Sequence, residues 1–247
     1  MKINFNTHSM SFTAIPMKKV GSFNVIDEKK LNNQIKTQQN GDLFLKSEHE
    51  PPSEELSNKE QHFLSFAKGS DSEGFPMMDY VFIKNENTIL AEEISVPSEL
   101  QKEGLGLGSK LMLYGIVTAL SNHEIESITL YSLPETVLFY AKLKFDTNFE
   151  NIACLKNFAI KNLPEKIGRK VNAISNSKYF TDETKLNKGN EILSKYLQNL
   201  ATKGKDEQTK NYTPRHVCKM ILTKDHVYEN KEFYNNLFTK HGIDYEI

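Results

Sequence analysis

The alternation of strand-like and helix-like apolar patterns is clearest between residues 79 and 149. Residues 80–84 and 88–96 predict two strands, and Asn85, Glu86 and Asn87 predict the hairpin turn between them. Apolar residues recur at helical spacing over 109–120, and residues 127–132 predict another strand. Pro134 suits the first turn of a helix over 135–143. Strands and helices that alternate in this way predict a layered α/β fold.

The flanking parts of the chain give weaker patterns. Residues 11–20 predict an early strand, the polar stretch 27–58 predicts loop or partial disorder, and Ser57 with Glu60 predicts a capped helix through Phe66. Beyond Phe149 the chain becomes rich in Lys and Asn, and residues 191–200 form the clearest helical pattern there. A strand at 216–222 and a closing helix at 232–239 complete the prediction.

Composition narrows the class of protein. Of the 247 residues, 38% are hydrophobic and 26% are charged, as in ordinary soluble globular proteins. No run of eighteen apolar residues occurs and no apolar leader opens the sequence, so we expect a cytoplasmic protein that does not span a membrane. Two cysteines, Cys154 and Cys218, make neither a disulfide framework nor a metal quartet. Because the seven histidines also lack metal-ligating spacing, no metal site is expected.

The net charge of -1 conceals an asymmetry along the chain. Residues 1–154 carry 14 basic and 21 acidic side chains, whereas residues 155–215 carry 13 basic and 6 acidic ones. This distribution predicts either two surfaces of opposite field or a solvated helical segment rich in Lys and Asn. Nucleic acid is not expected as a partner, because the basic residues are scattered and the total charge is near zero. The oligomeric state does not follow from these features.

Three alternating glycines, Gly104, Gly106 and Gly108, separate the strand predicted at 88–96 from the helix predicted at 109–120. Such a turn exposes backbone N–H groups at the positive end of the helix, where a phosphate or pyrophosphate can bind. The spacing is neither the G-x-G-x-x-G of dinucleotide-binding folds nor a Walker A motif. The alternative is a turn whose glycines only allow the helix to pack closely on the strand.

Around these glycines the chain resembles the cofactor motif of the GNAT superfamily of N-acetyltransferases. In that family a strand ends in Val, a Q/R-x-x-G-x-G/A turn opens a helix, and the N–H groups of the turn bind the pyrophosphate of coenzyme A. Gln101, Gly104 and Gly106 match this turn, five residues after Val96. Because the family's helix sequence follows two residues late, a register that starts at Glu103 is the alternative. Coulomb repulsion between a glutamate and pyrophosphate disfavours it.

A second match lies in residues 136–145, which are similar to the family's A-x-x-x-Y-x-K-L-G-F segment. The tyrosine of that segment, which lies beside the cofactor sulfur in the family, corresponds to Tyr140. Lys144 stands where Gly is usual, so the turn into the next strand is expected to differ. Judged by residue type alone, Tyr140 would be a core aromatic that packs with Phe139 and Phe145.

The resemblance, which covers roughly residues 80–149, implies a GNAT-like fold with a mixed, mostly antiparallel central sheet flanked by helices. Residues 216–222 are similar to the family's final strand. We therefore predict a single domain over 1–247, with a core of about 11–150 plus 212–247 and a basic helical insertion at 151–211. The insertion follows the helix that contains Tyr140, so we expect it to border the acceptor channel and to influence acceptor choice.

The resemblance also implies the reaction, in which acetyl-coenzyme A donates its acetyl group to a primary amine of a protein or small molecule by direct attack. A splayed strand at 93–96 would polarise the acetyl carbonyl with a free backbone N–H. Tyr140 would protonate the departing thiolate, and Glu92 or Glu93, which strand alternation places on opposite faces, would act as the base through water. Two solvated strand carboxylates are the alternative for the glutamates.

The residues implied to bind the cofactor lie on the strand end and the turn. They are Ile94, Ser95, Val96, Gln101, Lys102, Glu103, Gly104, Leu105, Gly106, Leu107, Gly108 and Ser109. Two other functions fit the same residues. One is a non-catalytic GNAT-fold module that binds acyl-coenzyme A or a protein partner, and the other is an unrelated α/β protein whose glycine turn holds ATP.

Overall fold

A computed structural model of the protein describes residues 10–11, 44–50, 58–67, 76–98, 101, 106–203, 216–243 and 245–247. The fold is α/β with a mixed, open sheet, which confirms the predicted class. The chain divides into two compact units, the first comprising Met1–Ile128 with Thr223–Ile247 and the second comprising Thr129–Leu222. The finer predictions, a GNAT-like fold and a single domain with an insertion at 151–211, stay predictions.

The strands within the described residues are numbered in chain order. They are β1 (Met10–Ser11), β2 (Phe44–Glu50), β3 (Lys59–Ala67), β4 (Met77–Ile83), β5 (Thr88–Ser95), β6 (Ser127–Ser132), β7 (Asp146–Thr147) and β8 (Cys218–Thr223). The helices are α1 (Leu107–Ser121), α2 (Val137–Lys142), α3 (Ile152–Asn162), α4 (Glu165–Ser175), α5 (Asp182–Lys203), α6 (Lys224–Glu229) and α7 (Lys231–Lys240).

In the first unit, β1 to β5 pair in sequence order, and each strand is antiparallel to the next. The turn between β4 and β5 is a short 3₁₀ helix, Lys84–Glu86, closed by Asn87 in the left-handed conformation. β6 begins beside β5, where the hydroxyl groups of Thr88 and Ser127 lie 2.9 Å apart. The predicted hairpin and the predicted strand at 127–132 are therefore confirmed.

Three sequence-based predictions fall in the N-terminal region. The helix predicted from Ser57 through Phe66 is wrong, because these residues lie largely in β3, whose ladder with β2 and β4 outweighs the local capping signal. β2 also occupies part of the polar stretch predicted as loop. Of the strand predicted at 11–20, only Ser11 belongs to a described strand, and residues 12–20 lie outside the described residues.

The centre of the first unit is α1, which is buried on nearly every side and packs on β4 and β5. The C-terminal helices α6 and α7 contact both of its ends. Lys224, the first residue of α6, donates from its ammonium to the backbone oxygen of Asn122, just beyond α1, at 2.6 Å. His241, just beyond α7, lies against Gly106, just before α1. The helices predicted at 109–120 and 232–239 are confirmed.

The second unit combines the end of β6 with β8 and β7, in that order, and with four helices. β7 pairs antiparallel with β8 through Asp146 with Ile221 and Thr147 with Met220. The helices predicted at 135–143 and 191–200 correspond to α2 and to part of α5. Helices α3, α4 and α5 pack on one another, and α5 packs on α2 and β7, so all four helices share one core.

Candidate functional site

Strand β5 carries a β-bulge at Glu92. In the ladder with β4, Asp79 faces Glu93 and Tyr80 faces Ala91, so Glu92 is an extra residue without a facing partner in β4. A bulge interrupts the alternation of side chains along a strand. The strict alternation on which the opposite-face expectation for Glu92 and Glu93 rests is therefore interrupted, and both side chains are exposed. Two solvent-facing carboxylates next to an irregular strand remain candidate bases.

The end of β5 is tied to the segment that follows it. The ladder reaches Ser95, which pairs with Met77, and Pro97 cannot continue it, as predicted. The chain then turns back at Gln101. The side-chain amide of Gln101 donates to the backbone oxygen of Val96 at 2.6 Å, and its backbone N–H donates to the backbone oxygen of Pro97 at 3.0 Å. Gln101 thus fixes the strand end through its side-chain and backbone N–H donors.

The cofactor residues predicted on this part of the chain are only partly described. Ile94, Ser95 and Val96 are half-buried and Gln101 is exposed. The residues between Gln101 and Gly106, namely Lys102, Glu103, Gly104 and Leu105, lie outside the described residues. Gly106 belongs to both registers of the glycine motif.

Helix α1 begins directly after Gly106, which is its N-cap and adopts the left-handed conformation at φ 66°. The first intrahelical hydrogen bond runs from the backbone N–H of Lys110 to the oxygen of Gly106 at 3.0 Å. The N–H groups of Leu107, Gly108 and Ser109 therefore precede the helical ladder, as the first N–H groups of any helix do. They lie at the positive end of the helix dipole, which suits an anion.

Backbone conformation and packing require glycine at position 106 but not at position 108. A Cβ atom on Gly106 would be strained by its positive φ and would lie 3.1 Å from Cε1 of His241. A Cβ on Gly108 would lie 3.6 Å from Cγ2 of Val96 and 3.9 Å from Cγ2 of Ile94, which are ordinary contact distances. The close-packing explanation therefore accounts for Gly106 but not for Gly108.

Lys110, which sequence reasoning did not single out, is the most unusual side chain of α1. It is only 5% exposed, and burial lowers the pKa of its amine. Its ammonium makes neither an ion pair nor a hydrogen bond with any residue that the structure describes. A signal was present in the sequence, because helical spacing places position 110 on the same face as Leu107, Tyr114 and Val117, which are all buried.

Tyr140 lies in the second unit, on α2. It is 9% exposed, and its ring packs edge-to-face with Phe139 at 4.9 Å and Phe145 at 5.7 Å between centroids. Burial raises the pKa of Tyr140 to about 12. Its hydroxyl has no hydrogen-bond partner among the described residues. Tyr140 thus combines the packing of a core aromatic with a hydroxyl that stays protonated at neutral pH and can donate.

Lys144, which stands where the family has glycine, adopts the conformation that glycine favours. Its φ is 63°, and its backbone N–H donates to Ala141 at 3.0 Å. The backbone N–H of Phe145 also returns to the oxygen of Tyr140 at 3.1 Å. The turn after α2 therefore has a left-handed residue at position 144 despite the different side chain, and the expectation that Lys144 would change this turn finds no support in its backbone.

Hydrogen bonds, one of them buried, join α5 to β7 and to Phe149, which follow Tyr140 and α2 along the chain. The backbone N–H of Thr147 donates to Ser194 Oγ at 2.8 Å, and the hydroxyl of Thr147 donates to the backbone oxygen of Asn190 at 3.1 Å. The Asn190 amide also bonds both backbone groups of Phe149, with distances of 2.9 and 3.0 Å. The helices within 151–211 are therefore built into the core that positions Tyr140.

The two cysteines differ in their surroundings. Cys218 is fully buried, and burial raises the pKa of its thiol to about 12, while Cys154 is exposed. Within the described residues, no group of three or more His, Cys, Asp or Glu side chains could hold a metal ion. Every helix in the described part of the chain is too short or too polar to cross a bilayer.

Comparison with known proteins adds no assignment. No family model, no curated protein and no solved structure matches the chain.

Proposed function

We propose that the protein is an N-acetyltransferase that transfers the acetyl group of acetyl-coenzyme A to a primary amine by direct attack. The observation that carries the proposal is the corner between β5 and α1. There, three helix N–H groups and Gly108, whose glycine identity packing does not require, follow a strand end fixed by Gln101. This geometry suits a diphosphate, which coenzyme A contains.

The chemistry needs few protein groups, because the thioester is already activated. The amine lone pair attacks the acetyl carbonyl, the C–S bond breaks, and the coenzyme A thiolate takes a proton. Tyr140 supplies that proton in our proposal, since its hydroxyl is protonated at neutral pH. The proton lost by the amine passes to water or to one of the exposed carboxylates, Glu92 and Glu93. The bulge at Glu92 supports an irregular strand whose backbone N–H polarises the carbonyl.

A thiol-release assay with acetyl-coenzyme A and a panel of amines tests the activity. We expect release with at least one amine and, for Tyr140→Phe, a loss of kcat with unchanged affinity for coenzyme A. Tyr131→Phe is the matched control, because Tyr131 belongs to the same unit and is 59% exposed. If acetyl-coenzyme A binds tightly but no amine causes thiol release, the proposed acetyltransferase activity is contradicted.

That outcome would favour a non-catalytic module that binds acyl-coenzyme A or a protein partner. One observation supports this second candidate, because the edge-to-face contacts of Tyr140 with Phe139 and Phe145 are those of an ordinary core aromatic. A thermal-shift comparison of acetyl-coenzyme A with ATP separates both candidates from a nucleotide-binding protein, since only the bound ligand raises the melting temperature.

The identity of the acceptor amine does not follow from the structure. In our proposal, the basic helices of the second unit influence which acceptor binds. Lys166 and Lys170 on α4 are exposed, so exchanging both for Glu changes charge without disturbing the core. We expect the exchange to alter the KM for charged acceptors and to leave the KM for acetyl-coenzyme A unchanged. An identical acceptor profile in the variant would refute the role.

A further inference from the structure

We propose that Lys110 is the cationic partner of the diphosphate at the start of α1, so that one side chain and three backbone N–H groups form a single anion site. The inference rests on the proposed function, because it assigns the charged group of that function's cofactor turn. It names a residue that neither matched motif marks as a ligand.

The first argument is the placement of the ammonium. Lys110 is the fourth residue of α1. It directly follows Leu107, Gly108 and Ser109, whose N–H groups precede the helical ladder. Side chains on an α-helix tilt toward its N-terminus. In our proposal, the four-carbon stem of Lys110 therefore extends back along α1 toward the turn at Gly106.

The second argument is the burial of the Lys110 side chain without a partner among the described residues. Lys110 is 5% exposed and has no ion pair or hydrogen bond with the described residues. Lysine is almost never buried to this extent without a partner, because desolvation of an ammonium costs several kcal/mol. An anion bound at the helix start would offset that cost, and burial would strengthen the interaction by excluding water.

The two features have different origins, and both favour the same ligand. The N–H groups follow from the backbone at Gly106, whereas the buried amine follows from the helical face that position 110 shares with Leu107 and Tyr114. Backbone N–H groups combined with a lysine are a common arrangement for a diphosphate, in which the lysine acts as a point charge.

The test uses inorganic pyrophosphate and coenzyme A as probes of the full-length protein, with calorimetric affinities. We expect Lys110→Met to weaken both affinities at least about tenfold, which corresponds to about 1.4 kcal/mol, and Lys110→Arg to recover part of the loss. Lys240→Met, which removes an exposed lysine of the same unit, should change neither. Without ligand, Lys110→Met should melt at the same or a higher temperature than wild type, because it removes a charge from a buried side chain that has no partner among the described residues.

Wild-type affinity in Lys110→Met, or no binding of pyrophosphate to the wild-type protein, would overturn the proposal. If Lys110→Met fails to fold, NMR of the lysine Nζ signals in the wild-type protein tests whether Lys110 binds pyrophosphate. Pyrophosphate must then move the Lys110 signal and not the Lys240 signal. Pyrophosphate binding through Lys110 without thiol release would support the anion site and contradict the proposed acetyltransferase activity. Thiol release with an unchanged KM for acetyl-coenzyme A in Lys110→Met would support the activity and contradict the role of Lys110.

Discussion

The imidazole of His241 lies against the backbone of Gly106, so close that a Cβ atom on the glycine would be 3.1 Å from Cε1 of the histidine. One of these residues ends the last helix of the first unit and the other opens its central helix. The contact therefore ties the C-terminal segment to the turn proposed to bind diphosphate.

The pair Gly106 and Gly108 gives a matched prediction. Gly106→Ala should lower the free energy of unfolding by about 1–2 kcal/mol, because a side chain is strained at φ 66° and also meets His241. Gly108→Ala should leave stability unchanged or raise it by up to about 1 kcal/mol, because the position is helical and has room for a methyl group. Urea denaturation measures both, and equal losses in the two variants would contradict the assignment of the N-cap.

The raised pKa of Tyr140 predicts a pH dependence. Its folded-state pKa of about 12 lies above the ordinary value of about 10, so the stability that it contributes is complete below about pH 10. That contribution is lost as the pH rises through about 12. If Tyr140 is the general acid, no fall in turnover between pH 7 and 10 should originate from it. Tyr140→Phe should then lower kcat at every pH in this range without moving the apparent pKa values of the profile.

Absorbance at 295 nm supplies the independent measurement for Tyr140. The difference between the wild-type and Tyr140→Phe titrations should show one tyrosine that ionises near pH 12. A difference curve centred near pH 10 would show that the hydroxyl is solvated in solution, and it would remove the basis for this prediction.

The left-handed conformation of Lys144 gives a third prediction. Lys144→Gly should raise the free energy of unfolding by about 0.5 kcal/mol, because relief of the strained backbone exceeds the added entropy of the unfolded chain. Lys142→Gly is the control, since Lys142 is exposed within α2 and its replacement should lower stability by about 0.5–1 kcal/mol. Thermal melts would contradict the prediction if both glycines destabilise alike.

Ser194 should be critical for the second unit. Its hydroxyl accepts the backbone N–H of Thr147 in a buried site, so Ser194→Ala leaves that donor unpaired and should cost about 1–3 kcal/mol. Ser177→Ala on the loop after α4 is a control, because the bond from the Tyr179 backbone to Ser177 is exposed. Chemical denaturation should resolve the difference. The same bonds predict that deleting residues 151–211 would unfold the second unit rather than alter acceptor choice alone.

The parts of the fold that the sequence predicted are those with local causes. The hairpin at Asn87, the strand at 127–132 and the helix after the glycines are specified by neighbouring residues, and each agrees with the structure. β2 and β3 were missed because their ladders join segments whose polar composition resembles loop, and pairing partners distant in sequence do not appear in a local pattern. The bulge at Glu92 was missed for the same reason, since it exists only relative to β4.

The candidate site shows the same distinction between features with local causes and features that depend on distant residues. Gly106 and Gly108 were found through their spacing, whereas Gln101 and Tyr140 were found through the resemblance of their segments. Lys110 was not found, because the chemical type of a lysine predicts exposure and only the packing around α1 determines its burial. His241 is 135 positions from Gly106, and no short-range rule connects them.

The first unit is discontinuous in sequence, since residues 223–247, which contact both ends of its central helix α1, follow the whole second unit along the chain. A ribosome-bound chain that has reached residue 222 has made the whole second unit but still lacks Lys224 and His241, which contact the two ends of α1. During synthesis, the second unit is therefore available to fold before the turn at Gly106 acquires its neighbour His241.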